Sequence, residues 1–259
     1  MWDPQQYEIY ANHRGRPFDD LVRRIGARAP ARVIDLGCGT GALTATLLDR
    51  WPDATVVGVD SSAQMLDRAA RHARPPGLTF HLGDVATWTP DRPVDVIVSN
   101  AALQWVPGHS DLLPGFVRAL TDGGWLAFQV PGNFDSPTHT LLADLRHSAT
   151  WRATLTELPE REPGVLAPVD YLELLSGLGC VVDVWETTYQ QVLTGTDPVL
   201  EWMRGTGLRP VLAVLGPADV ERFTRQYAAL LREAYPTREY GTVLPYRRIF
   251  VVAHRAAHR

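Results

Sequence analysis

The residues best suited to chemistry open an early glycine-rich stretch. In Asp35-Leu36-Gly37-Cys38-Gly39-Thr40-Gly41 an acid stands ahead of three alternating glycines. Lacking Cβ atoms, such glycines let the backbone turn sharply and let a ligand lie directly against it. A dinucleotide fingerprint would read G-x-G-x-x-G and seat a pyrophosphate on the following helix. Here the pattern is G-x-G-x-G, with Leu43-Thr44 where a third, packing glycine is expected. Asp35 offers a negative charge to a cationic group. Asp60 follows at the end of a second β-branched run, 19 residues past Gly41, where an acid accepts both hydroxyls of an unphosphorylated ribose. Ser61, Ser62 and Met65 come next and can line a ring edge. Asp84-Val85 and Asn100-Ala101-Ala102 complete the set. Each acid alone is more often a solvated turn residue; in order, at successive strand ends, they outline one crevice. Cys38 reads as a small buried filler, not a nucleophile.

Short apolar runs alternate with amphipathic stretches and so position these residues. Strands are predicted at 32–36, 55–60, 78–82, 94–99 and 125–130, and helices at 18–29, 40–50, 62–74 and 111–120. That alternation implies right-handed crossovers and an α/β fold: a Rossmann-like, doubly wound, mostly parallel sheet of seven strands. Past residue 130 the rhythm changes to a mostly helical stretch, a strand over 181–188, a second helical stretch, and a closing strand over 248–253. Asp197 is the expected N-cap of the second helical stretch, with Pro198 at the first helical position. A later helix there places Val220, Phe223, Tyr227 and Leu230 on one face. The expected organisation is a single domain over 1–259. It has an N-terminal helical segment at 1–30, a ligand-binding half at 31–133, and helical cap insertions at 134–179 and 191–245.

Composition excludes several classes. With 25 Lys and Arg against 29 Asp and Glu the net charge is −4, which argues against nucleic acid or an anionic membrane as partner. Two distant cysteines, Cys38 and Cys180, make no disulfide framework or metal spacing, so a reducing cytoplasm is expected. No apolar run approaches the length of a membrane span, and the first residues lack signal-peptide character.

The motif Asp35 to Gly41, with Asp60, Asp84-Val85 and Asn100 in their places, resembles that of the class I methyltransferases. The resemblance implies S-adenosyl-L-methionine as cofactor, bound by Asp35, Gly37, Gly39, Gly41, Asp60, Ser61, Met65, Asp84, Val85 and Asn100. Further segments are similar to bacterial trans-aconitate 2-methyltransferases. They are Trp2-Asp3-Pro4-Gln5-Gln6-Tyr7, Arg14-Gly15-Arg16-Pro17, Asn100 through Val106, Gln129 through Phe134, Cys180 through Tyr189, Gly207-Leu208-Arg209-Pro210 and Arg247 through Ala253. They run along essentially the whole chain.

That family resemblance implies methyl transfer to a carboxylate of trans-aconitate or a close small polycarboxylate. No catalytic side chain and no metal are expected: the carboxylate is already ionised, and proximity and orientation suffice. Such a substrate needs cations and donors, and arginine holds carboxylates bidentately. Arg14, Arg209 and Arg248, with Trp105, Gln129, Asn133 and Tyr189, are the expected substrate-binding set; Arg16 and His139 are further candidates. Each has a plain alternative. Arg16 can be a solvent-exposed residue, Arg209 a helix C-cap, and of adjacent Arg247 and Arg248 only one can face the inner side of the sheet. Trp2 and Tyr7 form a lid or merely staple the N-terminal segment. A monomer or weak dimer is expected. Other readings stay open: a different acceptor such as a natural-product hydroxyl, a non-catalytic cofactor-binding sensor, and a nicotinamide-dependent oxidoreductase.

Overall fold

The strands that carry the glycine loop are buried on both faces, as central strands of a parallel sheet must be. In β1 (Arg32–Leu36) every residue after Arg32 is buried, and β4 (Val94–Asn100) is nearly as apolar. The structure is a computed structural model that describes residues 11–158 and 164–256, with the side chains of 11–14 outside the described set. Its chain divides into two compact units. One takes the described residues up to Pro131, Gly164–Thr187 and Arg248 onward; the other takes Gly132–Pro163 and Thr188–Arg247.

The first unit is built on the sheet. Beside β1 and β4 it holds β2 (Thr55–Asp60), β3 (Leu78–Leu82), β5 (Leu120–Pro131) and parts of β6 (Cys180–Leu193) and β8 (Gly241–Arg255). The strand order is β3-β2-β1-β4-β5-β8-β6. Pairing is parallel from β3 through β5, and β8 runs antiparallel to β5. Successive strands proceed one way from β1 to β3, and β4 then pairs on the opposite side of β1. The crevice at the carboxyl ends of β1 and β4 is therefore the switch point where such sheets bind ligands.

One sheet face carries the larger core. Ile34, Leu36, Ile97, Phe128, Val130, Ile249 and Val251 pack there with Phe116 of α4 (Leu113–Ala119) and with Tyr171 and Leu175 of α5 (Pro168–Gly177). The segment carrying α5, grouped in sequence with the first insertion, thus belongs to this core. Tyr171 locks it in place. Its phenol meets His109 Nε2 at 2.6 Å and accepts from the Leu166 amide at 3.2 Å, while its ring stands edge-on to Phe128.

On the other face α1 (Ala11–Arg23) packs against β4 and β5 through buried Phe18, Leu21, Val22 and Ile25. The expected helix over 18–29 is corrected at both ends. Pro17 lies inside α1, forfeiting one backbone hydrogen bond that the buried face outweighs. The helix stops short because Gly26 is pressed against Trp125, where a Cβ would lie 2.6 Å from the ring. Two further helices, α2 (Ala42–Arg50) and α3 (Ala63–Ala69), follow β1 and β2, and Ser62 Oγ caps α3 by accepting from the Met65 amide.

The second unit is mainly helical. It contains α6 (Pro137–His147), α7 (Arg152–Leu155), α8 (Pro198–Arg204), α9 (Arg209–Val214) and α10 (Pro217–Ala234), the short β7 (Thr237–Arg238) on β8, and the remaining residues of β6 and β8. The buried stripe of α10 is Phe223, Thr224, Tyr227, Ala228 and Leu231, one position off the expected Leu230. Tyr227 donates to the Thr138 carbonyl, and Tyr235 Oη accepts from the Thr138 amide, so both tyrosines hold the start of α6. Asp197 does not cap α8 as expected. Its backbone is left-handed (φ 50°), and its carboxylate takes a two-pronged bond from Arg232 at 2.6 and 2.6 Å. Among the described residues no helix is long and apolar enough to cross a membrane.

Tyr171→Phe removes a hydroxyl that serves two buried partners. It is expected to lower the unfolding free energy by about 1–3 kcal/mol, read as a lower denaturant midpoint at unchanged slope.

Candidate functional site

Four strand ends build the site. After β1, Gly37, Gly39 and Gly41 adopt φ values of 78°, 55° and 73°, a left-handed run open to glycine and strained for other residues. Their missing side chains are also required sterically. A Cβ on Gly37 would lie 2.2 Å from Ala102 Cβ, and one on Gly41 would lie 2.6 Å from Phe80 and 2.8 Å from Ala69. Asp60, at the end of β2, ties this loop down: its Oδ2 accepts from the Gly39 amide and its Oδ1 from the Ser62 amide, both at 2.8 Å. Each carboxylate oxygen keeps a second lone pair for a ligand hydroxyl. Spacing alone did not reveal this role as a loop clamp.

Asp35 is 3 % exposed, and Thr44 Oγ1 donates to its Oδ2 at 2.6 Å. Burial pushes its carboxyl from the usual 3.8 up to about 7, against the pull of that hydrogen bond and with a smaller push from Asp60. A buried carboxylate held this way is set to receive a cation. Thr44, seen in sequence only as a residue in place of a glycine, supplies that hydrogen bond. Cys38 is buried with its thiol pushed far up, mainly by burial and then by Asp35 and Asp60, which makes it inert as a nucleophile.

Met65 and Val85 are buried beside the loop ends, whereas Ser61 and Asp84 are exposed. Asp84 Oδ1 accepts from the Ala86 amide, which turns the chain after β3. At the end of β4, Ala101 is left-handed without being glycine (φ 54°) and is held by hydrogen bonds to Gln129 and Gln104. Strain of this kind costs on the order of 1–3 kcal/mol and gathers at functional sites. Trp105 follows in a short helical turn, 43 % exposed.

The sheet then places a polar row beside these loops. Asn100 lies opposite Gln129, Gln129 opposite Phe250, and Pro131 opposite Arg248. Directly paired residues share a face, so Asn100, Gln129 and Arg248 point the same way. Arg248 is buried and its Nη1 donates to Gln129 Oε1 at 2.8 Å. Gln129 Nε2 and Asn100 Oδ1 have no hydrogen-bond partner among the described residues. Arg247 points the opposite way, half-exposed and paired with Asp135 at 3.7 Å. Of the two adjacent arginines, Arg248 is the inner one.

The other expected substrate residues lie in the second unit. Asn133 and Tyr189 are buried there, and Arg209 is half-buried at the start of α9. The C-cap alternative for Arg209 is thereby corrected: it stands at the helix end where the dipole is positive. His139 stacks at a tilt on Phe134, and Arg16 is exposed on α1. Trp2, Tyr7 and the side chain of Arg14 lie outside the described residues.

The raised pKa of Asp35 has a measurable consequence. Native Asp35 holds a proton that the unfolded chain releases above 3.8, so stability is lost as pH rises toward about 7 and stays reduced above it. Asp35→Asn removes that penalty. Its melting temperature is expected to exceed the parent's at pH 8, by on the order of a few kcal/mol in stability, with the difference shrinking toward pH 4.

Residues 33–124 match a family model described as a methyltransferase domain. A trans-aconitate 2-methyltransferase of Streptomyces avermitilis is 54 % identical, with 99 % of this chain and 97 % of that protein aligned. One of Rhodococcus jostii is 51 % identical over 98 % of this chain and 99 % of its own length. In fold the chain is similar to the YcgJ protein of Bacillus subtilis (TM-score 0.60, 14 % identity, 94 % of this chain and 99 % of that one). About half of all positions agree along nearly the entire length of such relatives, including the second unit, and the chain belongs to the trans-aconitate 2-methyltransferase family.

Proposed function

We propose that the protein transfers a methyl group from S-adenosylmethionine to a carboxylate of trans-aconitate, forming a monomethyl ester. The observation that carries this reading is the buried Arg248 guanidinium beside Gln129, on the face that ends at Asn100. A buried cation next to an amide with an unsatisfied N–H suits a small polyanion and suits a neutral acceptor poorly.

The residues present fit the cofactor. Asp35, buried with a raised pKa, matches its amino group; the glycine cradle, which Cβ atoms would fill, admits its backbone-hugging part. Asp60 would hold the ribose hydroxyls, Ser61 and Met65 the adenine edge, Asp84 its amino group, the Val85 amide the ring, and Asn100 the methionine portion. S-adenosylmethionine supplies an electrophilic methyl group on a sulfonium. Arg248 and Gln129 in the first unit, with Arg209, Asn133 and Tyr189 from the second, bind the acceptor's carboxylates and orient one oxygen. That oxygen carries no proton, so the chain needs no general base, and positioning supplies the rate. The two buried, unbridged thiols Cys38 and Cys180 suit a reducing cytoplasm as its place of action.

Mass spectrometry of the protein with S-adenosylmethionine and a panel of di- and tricarboxylates tests this reading. A gain of one methylene on trans-aconitate, with citrate and cis-aconitate much slower, is the expected result. Cofactor binding without any methylated acid would send the search to other acceptors. Arg248→Met is expected to raise the KM for trans-aconitate on the order of 30-fold or more while the cofactor's affinity stays near the parent's.

A further inference from the structure

On β6 the burial alternates: Tyr189, Gln191 and Leu193 are buried while Gln190 and Val192 are exposed. Period-two alternation sets those three on one face of the strand. Gln191 is 3 % exposed, yet neither its Oε1 nor its Nε2 meets a hydrogen-bond partner among the described residues. Each such group left unmet costs about 1–3 kcal/mol, and methionine would fill nearly the same volume without that cost. The strand also has no slack with which to turn the amide toward water. The Leu193 carbonyl is so close to Gly241 that a Cβ there would lie 2.7 Å away, and Thr242 and Leu244 beyond it are buried. In the same unit Asn133 is buried with its Oδ1 likewise unmet.

We infer that Gln191 is a further acceptor-binding residue, its Nε2 donating to a carboxylate of the polycarboxylate substrate. This deepens the function proposed above and rests on it. An amide suits the task because it donates without adding a second buried charge that would need its own counter-ion. A water carried in with the anion satisfies Oε1. Gln191 therefore acts on affinity for the acid, and the intrinsic transfer step does not depend on it.

The test compares the parent protein, Gln191→Met and Gln191→Glu by steady-state kinetics on trans-aconitate and by thermal melting. Gln191→Met should melt at or above the parent's temperature and raise the KM for the acid about tenfold or more, with kcat and the cofactor's KM within about threefold. Gln191→Glu keeps the shape but sets a carboxylate against the substrate, and its KM should rise further still. Should Gln191→Met fail to fold, Gln191→Asn, shortened by one methylene, takes its place with the same expected rise. A Gln191→Met enzyme that melts higher while its KM for the acid stays within about twofold of the parent's would overturn the inference and leave the proposed function standing. If the parent methylates no acid of the panel, and none raises its melting temperature in the presence of S-adenosylhomocysteine, both fall together.

Discussion

The architecture of the site depends on one steric fact: Gly37 has no side chain. The loops after β1 and β4 leave the sheet at its switch point, and Ala102 Cβ sits where a Gly37 Cβ would have to be. Only this close approach lets the first loop curl through three left-handed glycines while the second turns at a strained Ala101. Asp60 then clamps the curl from the neighbouring strand through the Gly39 amide. Backbone from two loops and carboxylates from two strands are thereby fixed around one crevice before any ligand arrives, which is the preorganisation that transfer by positioning requires.

Much of this was legible in the residues. The bounds of β1, β2 and β3 agree with the sequence reading because each is a short apolar run with turn residues at both ends. The glycine loop and its acids were legible because backbone geometry constrains residue type. What escaped shares a different cause. β6 and β8 extend well beyond their predicted ends, since polar residues alternate along them and dilute the apolar signal. Pro17 marked a helix start in sequence but sits inside α1, because packing of Phe18 and Leu21 outweighs a local rule. Asp197 had the right type for a cap and was drawn away by Arg232, 35 residues distant. The roles of Thr44 on Asp35 and of Asp60 on Gly39 are likewise tertiary pairings that no spacing encodes.

The site also shows how burial is put to use. Asp35 and Arg248 are charged groups of opposite sign withdrawn from water, each beside a neutral hydrogen-bonding side chain, Thr44 or Gln129. Neither arrangement is the cheapest for the fold alone, since an apolar pair of the same volume often costs less. Both make sense for a protein that must hold a zwitterionic cofactor and an anionic acceptor with side chains already desolvated and directed.

Arg247 and Arg248 stand side by side on β8, one turned toward Asp135 and the other toward Gln129. Because strand side chains alternate strictly, a one-residue insertion or deletion between the start of β8 and this pair slides the register by one. It then exchanges which arginine is inward and turns every core residue of the slid segment outward. Lineages that lengthen or shorten this strand are therefore confined to changes of two residues, or to a bulge that restores the phase. The hairpin around β7 is accordingly a place where point substitution is an easy route of divergence and single-codon indels are a closed one.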